Sequence, residues 1–274
     1  MDFTGKTVLI TGAARGQGRS HARRFAELGA DLVLVDICAE IESIPYRQST
    51  ESDLRETVRS IEHYGRRVIA EIADVRDAEA MADVAGKALA NFGGIDVICA
   101  NAGVISIKPA VAVTATDWAD VIGTNLTGVW NTVSPLLPSM IERERGSIVI
   151  TSSAAGLKGP PNMVHYSAAK SGLIGMMRSL AAELGPHNVR VNCVAPTTVD
   201  TPMVHWPEAY QAFRPDLENP DREDVEPIFA SLNVIPVPWI QPVDVTNAVV
   251  WLASDEARYV TGIVLPVDAG TVIK

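Results

Sequence analysis

The sequence, 274 residues long, predicts a single α/β domain: a doubly wound parallel sheet with helices on both faces. Three observations predict it. Short apolar runs alternate with amphipathic helical stretches along the chain. Those runs are apolar at successive positions, as strands covered on both faces must be. The length suits one large core, so residues 1–274 are read as one domain.

In order, strands are expected at Thr7–Ile10, Leu32–Val35, Val68–Ala70, Val97–Cys99, Ser147–Ile150 and Val189–Val194. Helical patterns fall between them, at about 17–29, 51–64, 77–92, 116–143 and 163–185. Thr50-Glu51-Ser52-Asp53 is a helix-start signal, a hydroxyl to cap the first turn with an acid three residues on. Gly262–Gly270 reads as the final strand and turn. Two stretches break the rhythm, one near 37–50 and one near 204–238, the latter rich in Pro, acids and aromatics. Both read as insertions on the domain rather than boundaries.

The net charge of −10 disfavours a nucleic-acid partner, because an acidic surface repels phosphates. No run is long enough for a membrane span, and the N-terminus lacks the basic flank and apolar stretch of a secretion signal. Three scattered cysteines, Cys38, Cys99 and Cys193, argue against a disulfide framework and point to a reducing cytoplasm; Cys99 and Cys193 read as core residues. No histidine pair has zinc spacing, so no metal is expected.

The first strand runs into Thr11-Gly12-Ala13-Ala14-Arg15-Gly16-Gln17-Gly18, which opens the first helix. Glycines let the backbone approach a pyrophosphate, and a helix N-terminus offers it free N–H groups. The strand before, the helix after and Asp36 at the end of the second strand complete a dinucleotide fingerprint of the Rossmann type. Asp36 can accept hydrogen bonds from both adenosine ribose hydroxyls and repels a 2′-phosphate, which favours NAD over NADP. Arg15 is the counter-signal, since a basic side chain here could hold that phosphate.

Tyr166-Ser167-Ala168-Ala169-Lys170 places a phenol and an amine at i and i+4 on one helix face. Ser153 lies at the end of the strand before them, and Asn125 within an earlier helical stretch. With the glycine loop, Asp74-Val75, Asn101-Ala102-Gly103 and Asn192-Cys193-Val194-Ala195-Pro196, the whole chain resembles the short-chain dehydrogenase/reductase family. The resemblance implies Tyr166 as the acid/base, Lys170 as its tuning cation and nicotinamide-ribose ligand, Ser153 on the substrate oxygen and Asn125 holding a water in a proton relay. A free tyrosine is a poor base at neutral pH; the Lys170 ammonium and a positive nicotinamide ring would both favour phenolate. By the same resemblance Gly12, Arg15, Gly16, Gln17, Gly18, Asp36 and Ile37 would hold the adenosine and pyrophosphate side of NAD. Asp74 and Val75 would flank adenine, Asn101, Ala102 and Gly103 would line the nicotinamide half, and Val199 and Thr201 would grip the carboxamide. The chain departs from the family at Ala100, usually Asn, and at Thr197, usually Gly, which puts fine backbone placement near the nicotinamide in doubt.

The segment from Asp36 to Tyr46 is longer than most members have, and with Pro196–Met203 it resembles the mycofactocin-coupled, carveol-dehydrogenase-like branch. That resemblance implies an insertion covering a tightly held NAD, with mycofactocin as electron partner; Ile37, Ile41, Ile44 and Tyr46 could form the cover. A surface loop touching nothing is the plain alternative. Val204, Trp206, Tyr210, Phe213, Phe229, Leu232 and Trp239 offer apolar lid surface, and Met163 and Val164 could face the same site, so a hydrophobic secondary alcohol or its ketone is expected as substrate. His165 and His205 read as packing or surface residues. Family analogy implies a homotetramer built by helices 116–143 and 163–185 and the C-terminus. An ordinary reductase with exchangeable NAD(H), acting on a steroid or 3-oxoacyl ketone, is the alternative within enzymes. A non-catalytic dinucleotide sensor is the alternative outside them.

Overall fold

The computed structural model describes residues 1–274. Seven strands form one parallel sheet in the order β3-β2-β1-β4-β5-β6-β7. They are β1 Thr7–Thr11, β2 Asp31–Asp36, β3 Val68–Ile72, β4 Val97–Ala100, β5 Gly146–Thr151, β6 Val189–Pro196 and β7 Val264–Val267. The inner strands β1, β2, β4 and β5 are buried at nearly every position, which is why their sequences are apolar without alternation.

Each strand presents successive side chains to opposite layers. On one face Val8, Ile10, Leu32, Leu34 and Val149 pack against α1 (Gly16–Glu27), α2 (Glu51–Arg59) and α11 (Pro242–Ala253). On the other, Leu9, Val33, Ile98, Ile148 and Val191 pack against α3 (Ala78–Phe92), α5 (Gly128–Val133) and α8 (Val164–Leu184). Strand order reverses between β1 and β4, and the crevice beyond their carboxyl ends is where a doubly wound sheet binds ligands.

The cap read at Thr50 is formed: Thr50 Oγ1 accepts from Asp53 N, and the Asp53 carboxylate accepts from Thr50 N at 2.7 Å. The expected helix over 116–143 is not continuous. It divides into α4 (Ala115–Ile122), a π-turn at Gly123–Thr127, α5, a 3₁₀ turn at Ser134–Leu136 and α6 (Leu137–Glu142). Pro135 and Pro138 remove main-chain donors there, and Asn125 lies in the π-turn. After β5 come α7 (Ala155–Lys158) and then α8; the 204–238 stretch folds into α9 (Pro207–Phe213) and α10 (Arg222–Ser231). No helix is long and apolar enough to cross a membrane.

Candidate active site

The glycine loop sits at the β1–α1 junction, as its sequence context requires. Gly12 has φ +67°, and a Cβ there would lie 3.0 Å from Ala102 Cα, so only glycine lets the two strand ends come this close. Gly18 does not line the cofactor cavity; a side chain on it would drive into the Gly12 carbonyl. Its lack of a side chain lets α1 pack closely on β1. The remaining loop residues, Gly12, Arg15, Gly16 and Gln17, line one cavity with Asp36, Ile37, Asp74, Val75, Asn101, Ala102, Gly103 and Thr201. Val199 lines the neighbouring cavity instead.

Asp36 is buried at the tip of β2. Its carboxylate accepts from Ala14 N at 2.9 Å, Ser49 Oγ at 2.5 Å and Cys38 N at 3.2 Å. Ser49 and the loop backbone thus already share the carboxylate expected to meet the ribose. A carboxylate has further lone pairs for hydroxyl donors, and it still repels a phosphate. Arg15, the counter-signal, forms no ion pair.

The 37–50 segment is not an idle surface loop. Ile41, Ile44, Tyr46, Gln48 and Ser49 are buried, and Ile37, Ile41, Tyr46, Gln48 and Ser49 line the cofactor cavity. The Tyr46 hydroxyl accepts from Ile105 N at 3.2 Å, and Gln48 N donates to the Glu40 carboxylate at 3.1 Å. Ser43 donates to Asp120 at 2.6 Å; Asp120 in turn pairs with Arg76, which also pairs with Asp74. The segment is therefore fastened to α4 and to the β3–α3 loop by polar bonds as well as apolar contacts.

A second cavity of about 610 Å³ adjoins the first and falls in the size range of small-molecule sites. Gln17, Asn101, Gly103, Thr201 and Met203 line both. Its wall includes Ser153, Tyr166 and Lys170, together with Ile105, Ile107, Met163, Val204, Trp206, Phe213, Phe229 and Leu232. Val164, also expected here, points to solvent. Tyr210 and Trp239 stand behind the wall. The Tyr210 hydroxyl pairs with His205 Nδ1 at 2.7 Å, and Trp239 packs edge-on to the His205 ring. His165 is a core residue bonded to Ser106 Oγ.

Lys170 Nζ donates to the Thr151 carbonyl at 2.7 Å and lies 5.6 Å from the Tyr166 ring centre. Burial pushes the amine down to about 8. Burial also raises the Tyr166 phenol above its ordinary value, and hydrogen bonding with Ser153 pulls the other way. In the chain alone, desolvation therefore dominates the phenol. Ser153 Oγ accepts from Ala155 N at 3.1 Å at the start of α7, and its side chain lines the cavity. The Asn125 side chain is committed: Oδ1 accepts from Val104 N at 2.9 Å and Nδ2 donates to Val104 O at 2.7 Å. One Nδ2 hydrogen and one Oδ1 lone pair remain beyond these two bonds. A side chain at Gly103 would begin 2.7 Å from Asn125 Oδ1 and 3.4 Å from Lys170 Nζ, so both groups converge on this backbone.

Residues that the sequence reading did not assign to the site include Gln48, Ser49, Val104, Thr124, Pro202 and Met203. Of these Pro202 and Met203 lay in a quoted motif, Gln48 and Ser49 in the 37–50 insertion, and Val104 and Thr124 beside Gly103 and Asn125. Thr197, the departure from family pattern, bonds Thr271 Oγ1 at 2.8 Å and ties the C-terminal residues to the cavity floor.

Residues 6–209 match the short chain dehydrogenase family. The chain belongs to that family. It is accordingly an oxidoreductase acting on CH–OH groups. It is 50% identical over 273 residues to a (-)-trans-carveol dehydrogenase of Rhodococcus erythropolis, covering 98% of both chains. A carveol dehydrogenase of Mycobacterium avium in complex with NAD is 49% identical and superposes with a TM-score of 0.97 over 99% of each chain. A short chain dehydrogenase of Mycobacterium paratuberculosis bound to NAD is 40% identical, with a TM-score of 0.90 over 100% of each chain.

Proposed function

We propose that this short-chain dehydrogenase interconverts a hydrophobic, terpenoid-like secondary alcohol and its ketone, with NAD as a tightly held cofactor, and that it works as a homotetramer. The observation that carries the reading is the pair of adjoining cavities: a crevice lined by the glycine loop and Asp36 under the 37–50 segment, sharing Gln17, Asn101 and Gly103 with an apolar chamber that holds Ser153 and Tyr166. The side-chain-free approach at Gly12 and the Asp36 carboxylate fit NAD. When bound, NAD supplies the hydride acceptor and a positive ring.

The chain's own residues handle the proton. Tyr166 Oη takes the hydroxyl proton in the oxidising direction and returns it in the reducing one. Ser153 Oγ donates a hydrogen bond to the substrate oxygen. Lys170, anchored on Thr151 O, contributes a charge that favours phenolate and a donor for ribose hydroxyls. Asn125 braces the Val104 backbone beside Gly103. The apolar wall excludes water and selects against polar alcohols, since each unpaired hydroxyl buried there costs about 1–3 kcal/mol.

The polar latch at Ser43 and the apolar cover of Ile41, Ile44 and Tyr46 support slow NAD exchange. Electrons would then leave through a small redox partner, for which mycofactocin is the proposed candidate. The test is to purify the protein, measure bound NAD after denaturation, and supply carveol with an artificial electron acceptor and no added NAD. Turnover under those conditions is expected, and Tyr166→Phe should lower it at least ~100-fold. NAD-free protein that turns over only with added NAD would reject tight holding. Unchanged turnover in Tyr166→Phe would reject the acid/base assignment.

A further inference from the structure

The cofactor cover and the substrate lid touch through one aromatic pair. Tyr46 of the cover and Trp206, just before α9, stack with ring centroids 5.8 Å apart at 33°. Each is only 5% exposed. Around them Ile41, Ile44, Val104, Val121, Ala155, Tyr166 and Ala209 complete a single apolar cluster, drawn from the cover, the loop after β4, α4, α7, the start of α8 and the lid.

Trp206 is held from behind as well. Its indole N–H donates to Met203 O at 2.9 Å, and Met203 lies on the wall common to both cavities. Its neighbour His205 bonds Asp200 and Tyr210 at 2.7 Å each, and Arg222 of α10 bonds Asp200 at 2.9 Å. The 200–206 strand of chain, α9 and α10 are thus fastened into one unit. Moving that unit away from the chamber strips Trp206 from Tyr46, and moving the cover alone leaves the Trp206 face in water.

We infer that the two covers open together, with Trp206 the positioning residue that couples the substrate lid to retention of NAD. The inference deepens the reading of a tightly held cofactor. It adds that cofactor escapes only when the substrate lid lifts, so that lid opening for product exit is also the moment of exposure for NAD.

The test compares holoenzyme with Trp206→Ala, Trp206→Leu and Trp206→Phe. Bound NAD is followed after transfer to buffer containing an NAD-consuming hydrolase, and amide hydrogen exchange is read across residues 37–50. Loss of a stacked, buried aromatic should speed NAD release ~10-fold or more in the Ala and Leu variants and raise exchange in the cover, with Phe within ~3-fold of wild type. The Leu variant keeps bulk and guards against a misfolded Ala form. Wild-type release rates together with wild-type protection at 37–50 in the Ala and Leu variants would overturn the inference. If wild type itself sheds NAD at once, tight holding fails, while the exchange arm still decides whether the covers are coupled.

Discussion

Lys170 carries a charge where burial disfavours charge. Its amine is brought down to about 8 by desolvation, against about 10.5 for a free lysine. Below about pH 8 the folded protein bears the full cost of a buried ammonium. Between about 8 and 10.5 the folded state releases that proton while the unfolded state keeps it, so the unfolded state binds more protons and stability rises with pH. Lys170→Met should therefore be more stable than wild type at pH 7. The gain is about 3 kcal/mol from the charge, less about 1 kcal/mol for the donor lost by the Thr151 carbonyl. The gap should close as pH rises from 8 to 10. Urea unfolding of both forms at several pH values checks it, and a gap independent of pH would show that folding does not lower the affinity of the amine for its proton. The Tyr–Lys spacing was legible because i and i+4 share a helix face. The anchoring of Lys170 on Thr151 and of Asn125 on Val104 was not. Both are contacts across the fold, and an amide's partner has no signature in the residues beside it.

Elements built from local rules were read well, and those built from long-range contacts were not. β1, β2, β4 and β5 announce themselves because both faces are buried, and the Thr50–Asp53 cap because it closes within three residues. The run 116–143 keeps helical periodicity while Pro135 and the π-turn around Asn125 divide it, a change of hydrogen-bond pattern that apolar spacing does not encode. The 37–50 segment has no period at all; its order comes from Ser43 on Asp120, Tyr46 on Ile105 N and burial of Ile41 and Ile44. Asp120→Ala removes the Ser43 bond and one of the two carboxylates on Arg76, leaving Asp74 to hold the guanidinium. Losing one such bond, at about 1–2 kcal/mol, should raise amide exchange in residues 40–48 by ~10-fold with little change in global stability. Unaltered exchange would mean that apolar packing alone closes the cover.

At the scale of the whole molecule, large apolar side chains stay exposed on several elements. Val111, Trp118, Trp130 and Val164 are all exposed, on the run leading into α4, on α4, on α5 and at the start of α8. α4 packs against α8, and in the proposed homotetramer a second copy would cover these side chains. Self-association through these helices is the contact the proposed homotetramer would use, in two-fold related copies. Light scattering should then give about four times the 29.3 kDa chain mass. The double variant Trp118→Glu, Trp130→Glu places like charges against each other across such a contact and should fall to a smaller species. Both positions are nearly half exposed in the single chain, so circular dichroism should stay that of the folded domain. A double variant that keeps the full mass would move the interface to another face, and a wild type of single-chain mass would end the proposal of assembly.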